Sequence, residues 1–258
     1  MVPTVTAIGN RKGGVGKTSV TLGLAMGLSL LGRRVLVVDL DPQANATTAL
    51  EAEGEFDIFD VLYGGEAGTL GQAIVQTSWK GIDAVPGSES MSRIESEVLM
   101  TPEMRLKTAA WNSVELEAYD HILIDLPPAL GRLTLNGLIW ADRVMAVTEA
   151  AAFSVRGVTE FLETVDKVKS LPHLNPELEF AGLIINKTSA PLTGEHSYQI
   201  NELQAEYGEN VIMPVIPQRT AMQDSVSSRM PLTKLSGPGA AALTEIFVEH
   251  ARRLDGGK

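Results

Sequence analysis

Residues 9–19 read Gly9-Asn10-Arg11-Lys12-Gly13-Gly14-Val15-Gly16-Lys17-Thr18-Ser19. The stretch follows a β-rich apolar run, Thr4–Gly9, and opens an apolar helical pattern, Thr18–Leu31. Gly13, Gly14 and Gly16 let the backbone turn tightly, so that successive N–H groups and the helix N-terminus face one anion. Lys17 is then placed to reach the β- and γ-phosphates of a nucleotide, and the Thr18 hydroxyl to hold Mg2+. Val15 and Ser19 complete the nucleotide-facing loop. A bare glycine turn before a buried helix needs neither the lysine nor the hydroxyl. Strand, glycines, lysine and hydroxyl in register point to a phosphate loop.

Lys12 is the unusual member, standing at the head of the loop. It could reach a phosphate in its own subunit or across an interface, and spacing alone does not choose between them or exclude a solvent-facing lysine.

Two strand-end carboxylates accompany the loop. Val35–Asp39 is a continuous β-branched run, as a buried parallel strand is, and continues Leu40-Asp41-Pro42-Gln43-Ala44-Asn45. Ile122-Leu123-Ile124-Asp125 ends at Pro127-Pro128 and suits a Walker B aspartate. Ligands bind at the carboxyl ends of strands in α/β sheets. Carboxylates there can hold Mg2+ through water or orient an attacking water. Either Asp alone could equally cap a helix.

Outward from these motifs, strands and helices alternate. Further strands are expected at Gly81–Val85, His121–Asp125, Arg143–Thr148, Phe180–Ile185 and Val211–Ile216. Helices are expected at Ile58–Leu62, Leu70–Gln76, Thr101–Glu115 (Thr101 as N-cap, Pro102 first), Thr134–Trp140, Ser154–Lys169, Glu195–Tyr207 and Pro238–Leu254. This order gives a mostly parallel sheet with helices on both sides. No linker or repeat divides the 258 residues, so one domain, 1–258, is expected.

Composition sets limits. There is no cysteine, which excludes disulfides and Cys-ligated zinc or iron–sulfur clusters. The four histidines show no metal spacing. The N-terminus has no signal-like run, and the apolar stretch Val20–Leu31 is too short to span a bilayer. A cytoplasmic protein is expected. Net charge is −11, unusual for a nucleic-acid binder, though a local patch suffices. Residues 51–66 carry six acids and no base, whereas 216–253 carry five bases, Arg219, Arg229, Lys234, Arg252 and Arg253, against three acids.

Lys-Gly-Gly-Val-Gly-Lys-Thr at 12–18, Asp-Leu-Asp-Pro-Gln-Ala-Asn at 39–45, the Asp125 strand, the Glu149 junction, Ile185-Asn186 and Val215-Ile216-Pro217 together resemble the deviant Walker A ATPases of the ParA/MinD type, the ParA branch above all. The resemblance runs over nearly the whole chain and is weakest at 50–115. It implies a three-layer α/β sandwich with a mostly parallel central sheet, the deviant Walker A form of the P-loop NTPase fold. It implies ATP and Mg2+ as cofactors and slow ATP hydrolysis. Lys12 would be the signature lysine, reaching the partner subunit's nucleotide in an ATP-sandwich homodimer. Lys17 would grip the phosphates, Thr18 coordinate Mg2+, and Asp41 position the attacking water. Asp125 would support Mg2+ through a bridging water, and Asp39 would anchor the loop with at most a water-mediated link to the ion. Asn186, Ile216 and Pro217 would hold the base, Asn186 as a reader of the adenine edge.

The same resemblance implies non-specific double-stranded DNA as track, a ParB-like centromere-binding partner that stimulates hydrolysis, and a place on the nucleoid in the ATP state. Arg219, Arg229, Lys234, Arg252 and Arg253 are the DNA-binding candidates, with Lys187 weaker. Gln218 and Ala221 stand where relatives often carry bases. No N-terminal helix-turn-helix extension precedes the loop in this sequence. A MinD-like membrane helix is not expected, because the last helix sets Glu245 and Glu249 opposite its apolar face. A positioning ATPase with a non-DNA protein cargo would share the same loop chemistry.

Overall fold

The computed structural model describes residues 2–152 and 154–256. Eight strands form one sheet: β1 (Thr4–Gly9), β2 (Val35–Asp39), β3 (Val75–Gln76), β4 (Ile82–Val85), β5 (His121–Asp125), β6 (Arg143–Glu149), β7 (Glu179–Asn186) and β8 (Val211–Ile212). Their order is β3-β4-β2-β5-β1-β6-β7-β8, parallel throughout except for β3 against β4.

The central strands are buried on both faces, which explains their unbroken apolar runs. Successive side chains alternate between two cores. Val35 and Val37 join the core under α1 (Lys17–Leu30), α2 (Asn45–Leu50), α8 (Thr220–Ser227) and α9 (Pro238–Leu254). Leu36 and Val38 join the opposite core, under α3 (Ile58–Gly64), α4 (Arg105–Ala110), α5 (Arg132–Trp140), α6 (Ser154–Ser170) and α7 (Gly194–Tyr207). The result is the expected three-layer α/β sandwich.

The apolar face of α9 lies on α1, with Leu243, Phe247, Ala251 and Leu254 buried. Gly27 permits the approach: a Cβ there would stand 2.5 Å from the Phe247 carbonyl oxygen. The last helix is therefore a core-packing element. Among the described residues no helix is long and apolar enough to cross a membrane.

Three expected elements are corrected. The helix expected at Thr101–Glu115 shrinks to α4, because Thr101 takes φ +45° and cannot serve as an extended N-cap, and the chain turns again at Asn112 (φ +61°). Leu70–Gln76 is a short 3-10 turn, Leu70–Ala73, followed by the edge strand β3. The strand expected at Val211–Ile216 stops at Ile212, since Pro214 has no N–H to give a ladder. The short helices α2 and α8 are additional to the expected set.

Candidate nucleotide-binding site

Four parallel strands deliver the site. At their carboxyl ends β1 runs into the glycine loop, β2 ends at Asp39, β5 at Asp125 and β7 at Asn186. Asp39 and Asp125 are register neighbours on adjacent strands.

The loop is built as its glycines require. Gly14 (φ +79°) and Gly16 (φ +87°) occupy the left-handed region, which L side chains resist. Asn10 locks the loop's entrance: its Nδ2 donates to the Val147 carbonyl (2.6 Å), and its Oδ1 accepts the Lys12 N–H (3.0 Å).

Lys17 is only 7 % exposed. Its ammonium has no hydrogen-bond partner among the described residues, although Asp125 and Asp41 act on it through space. Burial lowers its pKa against the pull of those two carboxylates. A cation this far desolvated gains from a direct anionic partner, and a phosphate oxygen in the cavity would supply one.

The Thr18 hydroxyl donates to Asp125 Oδ2 (2.6 Å), and the Thr21 hydroxyl donates to Asp125 Oδ1 (3.2 Å). Asp125 is fully buried, and burial, with Asp39 alongside, pushes its pKa up to about 7. Asp39 is pushed up to about 6 by burial, against the hydrogen bonds from Thr47 and Asp41. Its Oδ2 accepts from both the Thr47 N–H and hydroxyl (2.8 Å each), and its Oδ1 accepts the Asp41 N–H (3.2 Å). Thr47 Oγ1 in turn accepts the Gly87 N–H (2.7 Å). Asp39 thus ties down the loop that carries Asp41.

These oxygen donors suit Mg2+. The ion binds few protein oxygens and takes the rest of its shell from phosphate and water. Thr18 would hold the ion directly, with Asp125 and Asp39 behind it.

A cavity of about 590 Å3 opens over the loop. Gly13, Gly14, Gly16, Lys17, Thr18 and Ser19 form its floor. Asp41, Gln43 and Asn45 form one wall; Asn186, Lys187, Ile216 and Pro217 form the other, continued by Gln218, Arg219 and the α8 residues Met222, Gln223, Val226 and Ser227. Loop, Asp41 and base-side residues are therefore brought together. Asp39 and Asp125 lie behind the cavity. Val15 is buried, and its carbonyl accepts a hydrogen bond from Asn186 Nδ2 (2.9 Å).

Lys12 lies outside the cavity. Its ammonium donates to Glu149 Oε2 (3.1 Å), while Lys187 pairs with Glu149 Oε1 (3.2 Å) and also donates to the Gly14 carbonyl. The two lysines and their hydrogen bonds hold the Glu149 carboxyl below the usual range, against its partial burial. Neither Thr47 nor the α8 wall was legible in the sequence. Thr47 announces nothing without its distant partner Gly87, and α8 is too polar to show a clear 3.6-residue period.

The DNA-binding candidates do not form one patch. Arg219 lines the cavity. Arg229 pairs with Glu51 Oε1 (3.3 Å), and Arg253 donates to the Glu209 carbonyl (2.8 Å). Arg219 sits beside the start of α9, its Cδ 4.0 Å from where a Cβ on Gly239 would stand, and Arg252 and Arg253 are near that helix's other end. At 1.5 Å per residue the two ends are separated by about 20 Å. Lys234 and Arg252 are exposed.

Comparison with known proteins agrees with this geometry. A family model described as an AAA domain matches residues 3–180. The chain is 33% identical over 255 residues to the sporulation initiation inhibitor protein Soj of Bacillus subtilis, covering 97% of each chain. It is 33% identical over 234 residues to the chromosome partitioning protein ParA of Caulobacter vibrioides, covering 88% of this chain and 85% of that one. The solved structure of cobyrinic acid a,c-diamide synthase from Mycobacterium smegmatis, with bound ADP and magnesium, superposes with a TM-score of 0.80 at 29% identity, covering 99% of this chain and 97% of that one. ATP and Mg2+ are accordingly this chain's cofactors, and ATP hydrolysis its reaction. By sequence, fold and phosphate loop alike, the chain belongs to the ParA/MinD/Soj family of P-loop ATPases.

Proposed function

We propose that the chain is a nucleotide-switched positioning ATPase of the partition type. ATP joins two copies face to face, the joined form holds double-stranded DNA without sequence preference, and a ParB-like centromere-binding partner ends that state by stimulating hydrolysis. The observation that carries the nucleotide part is Lys17: a residue only 7 % exposed, whose ammonium has no hydrogen-bond partner among the described residues, at the floor of a cavity whose glycine loop presents backbone donors. The segregation part is supported by the 33% identity to ParA and Soj over most of the chain.

Each residue has a role in this reading. Lys17 and the loop N–H groups bind the β- and γ-phosphates. When bound, Mg2+ offsets the charge of those phosphates, held by Thr18 with Asp125 and Asp39 behind it. Asp41, on the cavity wall and fixed through Asp39, orients the attacking water. Lys12 stands at the exposed face of the loop, paired with Glu149 at 3.1 Å, and exchanges that carboxylate for the nucleotide of the second subunit. Loss of the γ-phosphate removes the contacts that hold the interface.

Asn186 selects the base through its amide. Its Nδ2 gives one hydrogen to the Val15 carbonyl, which leaves the Oδ1 acceptor and a second N–H for the base edge. An acceptor suits the exocyclic amino group of adenine and opposes the carbonyl oxygen that guanine carries at the same place.

Light scattering of the parent chain and Lys12→Ala with Mg-ATP or Mg-ADP tests the switch. Dimers of the parent in ATP alone, and monomers of the variant in both, support it. Dimers of the variant in ATP would remove Lys12 from the interface, and a parent that stays monomeric in ATP would end the sandwich reading.

A further inference from the structure

Four charged side chains line the cavity: Lys17, Asp41, Lys187 and Arg219. The first three lie on or beside the phosphate loop. Lys17 opens α1, Asp41 follows the Asp39 anchor, and Lys187 donates to the Gly14 carbonyl. Arg219 stands apart from them. It follows Ile216, Pro217 and Gln218, a segment strapped to the end of β7 by backbone bonds from Ile216 N to the Ile185 carbonyl (2.8 Å), Thr188 N to the Ile216 carbonyl (3.1 Å) and Gln218 N to the Thr188 carbonyl (2.8 Å). These bonds fix the segment that carries Arg219 on the wall that Asn186 begins.

Arg219 is exposed, and its guanidinium has no hydrogen-bond or ion-pair partner among the described residues. Arg229 and Arg253, the other arginines of this region with assigned contacts, are engaged with Glu51 and the Glu209 carbonyl. The Arg219 stem runs past Gly239 at the start of α9, its Cδ 4.0 Å from where a Cβ there would stand. A planar cation without a partner at the open rim of a base pocket suits the face of an aromatic base.

We propose that Arg219 is a nucleotide-binding residue, its guanidinium closing over the purine of bound ATP at the rim of the cavity. This assignment takes Arg219 out of the set of DNA-contacting bases, and it rests on the reading that the cavity holds ATP. The rest of the site grips phosphate and ion. Arg219 adds affinity through the base, and it does so with a side chain that a lysine does not replace, because a point charge lacks the stacking plane.

Calorimetric titration of the intact chain with Mg-ATP and with Mg-tripolyphosphate tests this, using the parent, Arg219→Ala, Arg219→Lys and Lys17→Ala. Arg219→Ala is expected to weaken ATP binding about three- to tenfold, as loss of a partly desolvated cation–π contact does. Tripolyphosphate affinity should stay at the parent value, and Arg219→Lys should resemble the alanine variant for ATP. Unchanged ATP affinity in Arg219→Ala would overturn the proposal, as would an equal loss for tripolyphosphate, which would place the guanidinium on phosphate. Lys17→Ala is expected to lose both ligands. If it loses neither, the nucleotide reading of the cavity fails, whatever Arg219 does. Duplex binding by Arg219→Ala at saturating ATP completes the set: loss of DNA with ATP affinity intact would return Arg219 to the DNA surface.

Discussion

The Thr18 hydroxyl and the Asp125 carboxylate are joined by a 2.6 Å hydrogen bond, so the two groups that would serve Mg2+ are in contact before any ion arrives. Removing the hydroxyl takes away both the group proposed to hold the ion and the shorter of two hydroxyl donors to Asp125. Thr18→Val should lower the Mg2+-dependent ATPase rate by at least about tenfold, the lower end of what losing even an outer partner costs a metal site. A Mg2+ titration of the rate checks this. An unchanged rate and an unchanged Mg2+ midpoint would take Thr18 out of the ion site.

Asp39 and Asp125 set a pH dependence. Burial raises the two carboxyls to about 6 and about 7, whereas in the unfolded chain they titrate near ~4. The folded state therefore binds their protons more tightly. Their stabilising contribution is complete below about pH 4 and is lost as pH rises through 6 to 7. Chemical denaturation of the nucleotide-free protein at pH 5 and pH 8 should show that loss in the parent and a smaller one in Asp125→Asn. Equal losses in both would contradict the assignment.

The Gly87–Thr47–Asp39 relay holds the Asp41 loop from the side of β4. Thr47→Val removes the hydroxyl and leaves the Gly87 N–H and one carboxylate contact unmet. The expected cost is about 1–3 kcal/mol of stability. Hydrolysis should slow more than ATP binding weakens, because the loop that loosens carries Asp41 and not Lys17. Denaturation together with separate binding and rate measurements distinguishes this from a purely structural loss, in which rate and affinity would fall in step.

What the sequence made legible, and what it did not, has a physical pattern. The strands β1, β2, β5, β6 and β7 are buried on both faces and therefore spell out their own apolar runs. The phosphate loop is local, contained within eleven residues, so its chemistry needed no distant partner to be recognised. The region around 70–115 was misread because its elements are short and their limits are set by left-handed turns at Thr101 and Asn112, residues that do not advertise such a conformation. The basic residues of 216–253 read as one group along the chain, yet α9 carries Arg252 and Arg253 away from Arg219. Contacts such as Lys12 with Glu149 join positions 137 residues apart and belong to the fold alone.

Asn186 predicts a nucleotide preference. With Nδ2 turned to the Val15 carbonyl, the Oδ1 acceptor is left without a hydrogen-bond partner among the described residues and is free for the adenine amino group. GTP should bind more weakly than ATP by about tenfold, since a mismatched buried hydrogen-bonding group costs about 1–3 kcal/mol. Competition between the two nucleotides measures it, and equal affinities would show that Asn186 serves only the loop.

The central claim is that ATP switches this chain onto DNA. Its most direct test is binding of a labelled random-sequence duplex to Asp41→Ala, a variant expected to hold ATP without hydrolysing it, in Mg-ATP or Mg-ADP at low and moderate salt. The account predicts duplex binding by dimers in Mg-ATP alone, weakening steeply as salt rises because the contacts are to phosphates. ATP-dependent dimers that bind no duplex at any salt would contradict it and would point to a protein surface as the track.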